Sequence, residues 1–365
     1  MWLEHAEIRQ VTLPLHSPVH WTAGGAEAEV SYVVLLLRDH DGREGVAEIT
    51  CRPAWNGLTP GLLVHAFREL AWPRIAGLAT DGSVLPRLSG IREMTGLKAL
   101  CDNAWRDLCV PMACGSAVRV ASVLTRDAPE IMTEAALRVR DETGIDAFKV
   151  KLGQGVKRDA TALAALRQAL PSAELSGDAN SAYGPEDLAW LGDMAFEMGL
   201  SYLEDPCPLV PDAALGAVIA DMPVPVLADR EMTDPRSVSA FADRGVTGFA
   251  AKPGRIGGSA AMDVARAAQA CGGRICNGTY SESALGVAAQ LDFAARLEER
   301  LAYPHEVDFH RGLAAQIAPL PTIRNGHAIP ATGRMVDMLD REALQRHATA
   351  GITLAANARK EANHG

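Results

Sequence analysis

Ala147-Phe148-Lys149-Val150-Lys151-Leu152 and, after an Ala-rich stretch, Ala173-Glu174-Leu175-Ser176-Gly177-Asp178 decide the fold. Each is a short, strand-like segment that runs into a charged residue. The pattern continues to Glu204, Asp229 and Lys252, so the charged ends fall at 151, 178, 204, 229 and 252, at intervals of 27, 26, 25 and 23 residues. A strand, a loop and a covering helix take about this much chain, and the spacing predicts successive β/α units whose strand ends carry three carboxylates flanked by two lysines. In a parallel β/α barrel those ends share the face that holds the chemistry, and the five groups are expected to converge on one pocket.

Working outward, the same texture extends to eight candidate strands: 119–124, 147–152, 173–178, 201–204, 224–229, 248–252, 273–278 and 301–308. The intervening helices have clear ends. Gly184-Pro185-Glu186 opens one that stops at Gly199, and Asp234-Pro235 opens another that stops at Gly245. Eight strands with helical crossovers indicate an α/β barrel; a Rossmann fold would place a Gly-rich loop after the first strand, and Val123-Leu124-Thr125-Arg126 is not one. Ahead of the barrel, Val30 to Leu37, the turn Asp39-His40-Asp41-Gly42 and Gly45 to Ile49 read as an antiparallel hairpin. Residues 60 to 110 read as helices, so the chain opens with an α+β domain. The last 45 or so residues, with Pro321 and Pro330, are irregular in texture and are expected to return to that domain.

Bulk composition narrows the partners. The 365 residues are 48% hydrophobic, ample for a large core, and the net charge of −10 argues against nucleic acid or an anionic membrane. No apolar run approaches the ~20 residues needed to span a bilayer. The expectation is a cytoplasmic protein acting on a small polar ligand. Seven cysteines with no CxxC pair read as reduced thiols.

Three acids brought together repel one another unless a cation sits among them. An all-oxygen set at Asp178, Glu204 and Asp229 without a His or Cys cluster favours Mg²⁺, with Mn²⁺ as a substitute, over Zn²⁺. The competing reading, helix capping or salt bridging, requires no such periodicity. Lys149 and Lys151, two residues apart, point to one face of their strand. Lys252 lies four strands further round, across the barrel mouth from Lys151. A cation between opposed lysines implies a substrate held by its carboxylate, with one lysine on each face of its α-carbon.

Taken together, the Lys149-x-Lys151 pair, Asp178-x-Asn180, Glu204-Asp205-Pro206, Asp229 and Lys252 followed by Arg255-Ile256-Gly257-Gly258 resemble the enolase superfamily, within it the muconate lactonizing enzyme subgroup of the mandelate racemase/muconate lactonizing enzyme family. The resemblance spans nearly the whole chain. It implies an α+β capping domain (1–117), a modified (β/α)₇β TIM barrel (118–320) and a C-terminal segment (321–365) that completes the cap. It implies Mg²⁺ on Asp178, Glu204 and Asp229, an acid/base pair at Lys151 and Lys252, and Lys149 holding the substrate carboxylate. The shared step would be abstraction of a proton α to a carboxylate, giving an enediolate. Asn180, and Glu306 and Asp308 in the eighth strand, are further expected substrate contacts. So are Trp21 and Trp55, in the capping loops 17–26 and 50–59; either tryptophan serves equally well as a staple between cap and barrel.

The seventh strand, Cys276-Asn277-Gly278-Thr279-Tyr280-Ser281-Glu282-Ser283, lacks the His of mandelate racemase-like enzymes, which points to the two-lysine branch. The expected function is a muconate-type cycloisomerase or a close relative acting on a small carboxylic acid. The alternatives are an N-acylamino acid racemase or dipeptide epimerase and, in another class, an inactive metal- and carboxylate-binding protein. Arg230 departs from the pattern: the family often has Glu directly after the third metal ligand. An arginine there would alter the charge near Lys252 or bind an acidic substrate. A symmetric homo-oligomer is the expected assembly.

Overall fold

The computed structural model describes residues 2–20, 25–113, 115–298 and 302–356. Seven parallel strands form one curled sheet: β5 (Ala121–Leu124), β6 (Ala147–Lys151), β7 (Glu174–Asp178), β8 (Leu200–Glu204), β9 (Val226–Ala228), β10 (Gly248–Ala250) and β11 (Arg274–Cys276), paired in chain order. The eighth segment pairs with both edges without becoming a regular strand. Ile275 bridges Ala302 and Val120 bridges His305, both parallel, while the Glu306 amide donates to the Asn277 carbonyl at 3.0 Å. The ring therefore closes through an irregular staple. Pro304 lacks the amide that a continuous ladder would use there.

Side chains inside the ring stack in layers, because residues two apart on a strand share a face. Tyr202, Leu227, Ala250, Cys276 and Tyr303 fill the interior as one buried cluster. Two residues further along β8, β9 and β10 come Glu204, Asp229 and Lys252, so this apolar layer is the floor on which the charged layer stands. On the other side Lys151 and Asp178, and Asp178 and Glu204, are directly paired in the ladder. Lys149 and Lys151 lie on an interior strand flanked by β5 and β7, not on a solvated edge.

The hairpin anticipated at 30–49 is part of a four-stranded antiparallel sheet ordered β14-β1-β2-β3, with β1 at Leu3–His20, β2 at Ala26–Asp39, β3 at Glu44–Cys51 and β14 at Ala348–Ala355. The chain's C-terminal part thus supplies an edge strand to the sheet begun at its N-terminus. β2 is apolar on both faces for a reason. Val33, Leu35 and Leu37 face the cap's own helices, whereas Tyr32, Val34 and Leu36 pack with Ala284, Leu285 and Ala288 of the barrel helix Ala284–Ala294. A third small sheet joins β4 (Val118–Arg119) to β12 (Ile323–Arg324) and β13 (His327–Ala328). Among the described residues no helix is long and apolar enough to cross a membrane, and the described cysteines are free thiols, four of them buried.

Candidate active site

Apolar strands deliver the charged residues to the mouth of the ring, where the backbone changes direction abruptly. Four of the six described non-glycine residues with left-handed φ lie there: Asn180 and Ser181 after β7, Asp205 after β8 and Ser281 after β11. Such conformations carry strain and persist where neighbours fix them. Asp178 Oδ1 accepts the Asn180 amide at 2.9 Å, the Asp205 carboxylate accepts the Asp229 and Arg230 amides at 3.1 and 3.0 Å, and Tyr32 from the cap donates to the Ser281 carbonyl at 2.9 Å.

A cavity of about 360 Å³ opens over this ring, lined by Lys151, Asn180, Asp229, Lys252 and Glu306 from the barrel and by Arg52 and Trp55 from the cap. Below it Lys149 is fully buried, its ammonium 2.7 Å from Glu204 Oε2, 2.9 Å from Glu306 Oε1 and 3.3 Å from Asp178 Oδ2. Lys151 Nζ lies 2.5 Å from Asp178 Oδ2 and 3.3 Å from Asn180 Oδ1. On the far side Lys252 Nζ lies 2.6 Å from Asp229 Oδ2, and Arg255 approaches Asp229 Oδ1 at 3.0 Å. Trp55 sits on the short turn Pro53–Asn56, its ring centre 5.9 Å from Lys151 Nζ.

Not every anticipated contact is brought together. Glu306 reaches the cavity, but Asp308 does not: the chain leaves its extended path there, entering the turn Phe309–Gly312, and Asp308 lines a different cavity beside Ser122. The two-residue period that would put both acids on one face ends at Glu306. Trp21 lies outside the described residues. Sequence reasoning missed Asp205 and the segment Thr279 to Ser281, which also lines the cavity. It likewise missed Glu282, whose carboxylate accepts from Thr279 Oγ1 and the Tyr280 amide at 2.9 and 2.7 Å. Their signal was present in Glu204-Asp205-Pro206 and in the polar run 279–283, where three or more polar residues follow a buried strand.

The electrostatics divide the three acids. Burial alone would raise Asp178, but Lys151 and Lys149 outweigh it and hold the carboxyl well below the usual range; burial is likewise outweighed at Asp229 by Lys252 and Arg255. Glu204 goes the other way: burial, reinforced by the Asp178 charge, pushes it well above a normal glutamate. Burial would lower Lys252, yet Asp229 more than compensates and its pKa is raised. Glu204 Oε1 is buried with no hydrogen-bond partner among the described residues. An orphaned buried carboxylate oxygen in an all-oxygen set fits a hard divalent ion. One tight group of ligand-type atoms, Glu204, Cys276 and Glu306, has the Lys149 ammonium against both of its carboxylates, so that position already has its cation.

The sequence and the fold have counterparts. A family model described as Enolase C-terminal domain-like matches residues 131–334. The N-succinylamino acid racemase of Thermus thermophilus is 28% identical over 314 residues, covering 80% of this chain and 83% of that protein. The D-galactarolactone cycloisomerase of Agrobacterium fabrum is 33% identical over 170 residues, 45% of this chain and 43% of that protein. A solved muconate lactonizing enzyme from Pseudomonas fluorescens, complexed with muconolactone, superposes with a TM-score of 0.87 at 22% identity, covering 95% of this chain and 99% of that one. The chain belongs to the enolase superfamily, and the relatives named here are a racemase and cycloisomerases, isomerases of that superfamily.

Proposed function

We propose that this protein is a Mg²⁺-dependent isomerase that removes a proton α to a carboxylate and returns one to the same carbon, on a small acid such as an N-acylamino acid or dipeptide. The observation that carries the reading is the pair of lysines on opposite sides of one cavity: β6 and β10 are four strands apart in a ring of eight, and each lysine has its own carboxylate partner. Asp178, Glu204 and Asp229 would hold the ion, which when bound supplies charge stabilisation for the substrate's carboxylate oxygens.

In this reading the substrate carboxylate turns toward the acid set and Lys149, and the α-carbon lies between Lys151 and Lys252. One lysine, as neutral amine, takes the α-proton and becomes an ammonium. The other, already an ammonium, donates its proton to the opposite face, which inverts the centre. Asn180, accepting from Lys151, fixes that ammonium's direction. Trp55 closes the cavity over Lys151 and keeps water from the carbanionic carbon. Glu306 holds Lys149 from behind. The substrate is expected to be a small carboxylate and the assembly a symmetric homo-oligomer.

Cycloisomerization is the second reading, favoured by the 33% identity to the Agrobacterium cycloisomerase over the stretch it shares with this chain. There a single lysine would act on the intermediate. Proton NMR of the Mg²⁺-loaded protein in D₂O against N-acylamino acids, dipeptides and muconates separates them. Exchange of the α-proton with loss of optical purity supports the first reading, deuterium in a lactone supports the second, and no exchange with any compound that binds contradicts both.

A further inference from the structure

The whole chain carries a net charge of −10, yet the cavity is lined by five basic side chains against three acidic ones. Four of the five are committed. Arg52 pairs with Glu27 at 2.6 Å, Lys151 with Asp178 at 2.5 Å, and Lys252 and Arg255 with Asp229 at 2.6 and 3.0 Å. Arg230 is the exception. Its exposed guanidinium lines the cavity without an ion pair among the described residues, while its backbone is pinned by Asp205, which accepts the Arg230 amide at 3.0 Å. A rigid backbone with a free planar cation at the rim, one residue beyond Asp229, is an anion-recognition element.

We infer that Arg230 is a specificity-determining residue that binds a second, distal anionic group of the substrate, so that the preferred substrates are dianions with a second carboxylate remote from the reacting carbon. The inference rests on the proposed α-carboxylate chemistry and adds the far end of the substrate to it. In the proposed reading the α-carboxylate is answered by the cation site and Lys149, whereas the Arg230 guanidinium has no ion-pair partner among the described residues, so a monoanion held that way leaves its charge unanswered. A distal carboxylate supplies the bidentate partner that the protein does not.

The test is calorimetric binding of succinate, glutarate and adipate, each beside the monocarboxylate of equal length, to the full Mg²⁺-loaded chain and its Arg230→Gln and Arg230→Lys variants. In the wild type the best diacid binds about 10- to 100-fold more tightly than its monocarboxylate, the range for one charge-assisted contact. In Arg230→Gln that ratio falls to about 1 with monocarboxylate affinity unchanged, and Arg230→Lys, retaining the charge but not the fork, keeps part of it. Because the side chain is exposed, thermal melting of the variants is expected to match the wild type. An equal ratio in wild type and Arg230→Gln, or no diacid preference in the wild type, overturns the inference. Failure of the underlying reading looks different: monocarboxylate binding would then be indifferent to Mg²⁺, whatever Arg230 does.

Discussion

The two flanks of the cavity hold the same side chain in unlike settings. Lys151 is on the open flank, with 12% of its side chain exposed, beside Asn180 and under a tryptophan that is itself 37% exposed. Lys252 is on the packed flank. Its partner Asp229 is gripped by Arg255, which also donates to the Asp229 and Met232 carbonyls at 2.8 and 3.1 Å, and behind it lies Gly278, where an added Cβ would fall 2.4 Å from Lys252 Cε. The packed flank is also tied to the cap. Glu48 of β3 accepts the Ser283 amide at 2.7 Å and the Ser283 hydroxyl, anchoring the chain just beyond Thr279, Tyr280 and Ser281, which line the cavity. Chemically similar groups thus differ in what encloses them: a built wall at Lys252, an exposed cover at Lys151.

If both lysines move protons, the difference in packing should leave the chemistry of each equally indispensable. Lys151→Met and Lys252→Met are each expected to lower the isomerization rate by roughly 10²- to 10⁴-fold, measured by polarimetry under saturating Mg²⁺. A drop confined to one variant would break the symmetry the proposal needs.

Glu48 tests the wall through stability. Burial lifts its carboxyl from 4.5 to about 7, although the Ser283 hydrogen bonds oppose the rise. The folded chain therefore holds this proton more tightly than the unfolded chain. That contribution is fully present below about pH 4.5 and is lost as pH rises to about 7, amounting to about 3 kcal/mol at most. Glu48→Gln should flatten this part of the pH dependence and make the variant the more stable protein at pH 8, as read by urea denaturation at pH 5 and pH 8. An unaltered slope would mean the group titrates normally.

The atoms nearest an added Cβ at Gly278 all belong to the far end of the Lys252 side chain, so in Gly278→Ala folding is expected to survive while kcat falls about tenfold with KM little changed. Equal losses in kcat and thermal stability would point to general disruption instead. The smallest effect belongs to the open flank: Trp55→Ala should raise KM roughly three- to tenfold, since an exposed ring covers the site without positioning Lys252. A collapse of kcat there would reverse the assignment of wall and cover.

The barrel was legible because its signal is local. A buried strand must be apolar and its exit can be charged, so Asp178, Glu204 and Asp229 stand out at near-equal spacing even without tertiary information. What escaped depends on contacts distant in sequence. β14 is a strand only because β1 offers it an edge, and the irregular closure at 302–306 arises from Pro304 within an otherwise strand-like stretch. Glu48 reads as one polar residue on a hairpin until Ser283, 235 residues away, is folded against it. Asp308, expected beside Glu306 from the resemblance, lies instead in another cavity, because the chain turns at Phe309–Gly312.

The most direct test of the two-lysine account follows α-deuterium incorporation into each enantiomer separately in D₂O, in the wild type, Lys151→Ala and Lys252→Ala. The wild type is expected to exchange both enantiomers, and each variant to retain exchange of one enantiomer and lose the other, with opposite preferences in the two variants. Exchange of both enantiomers persisting in either variant would contradict it.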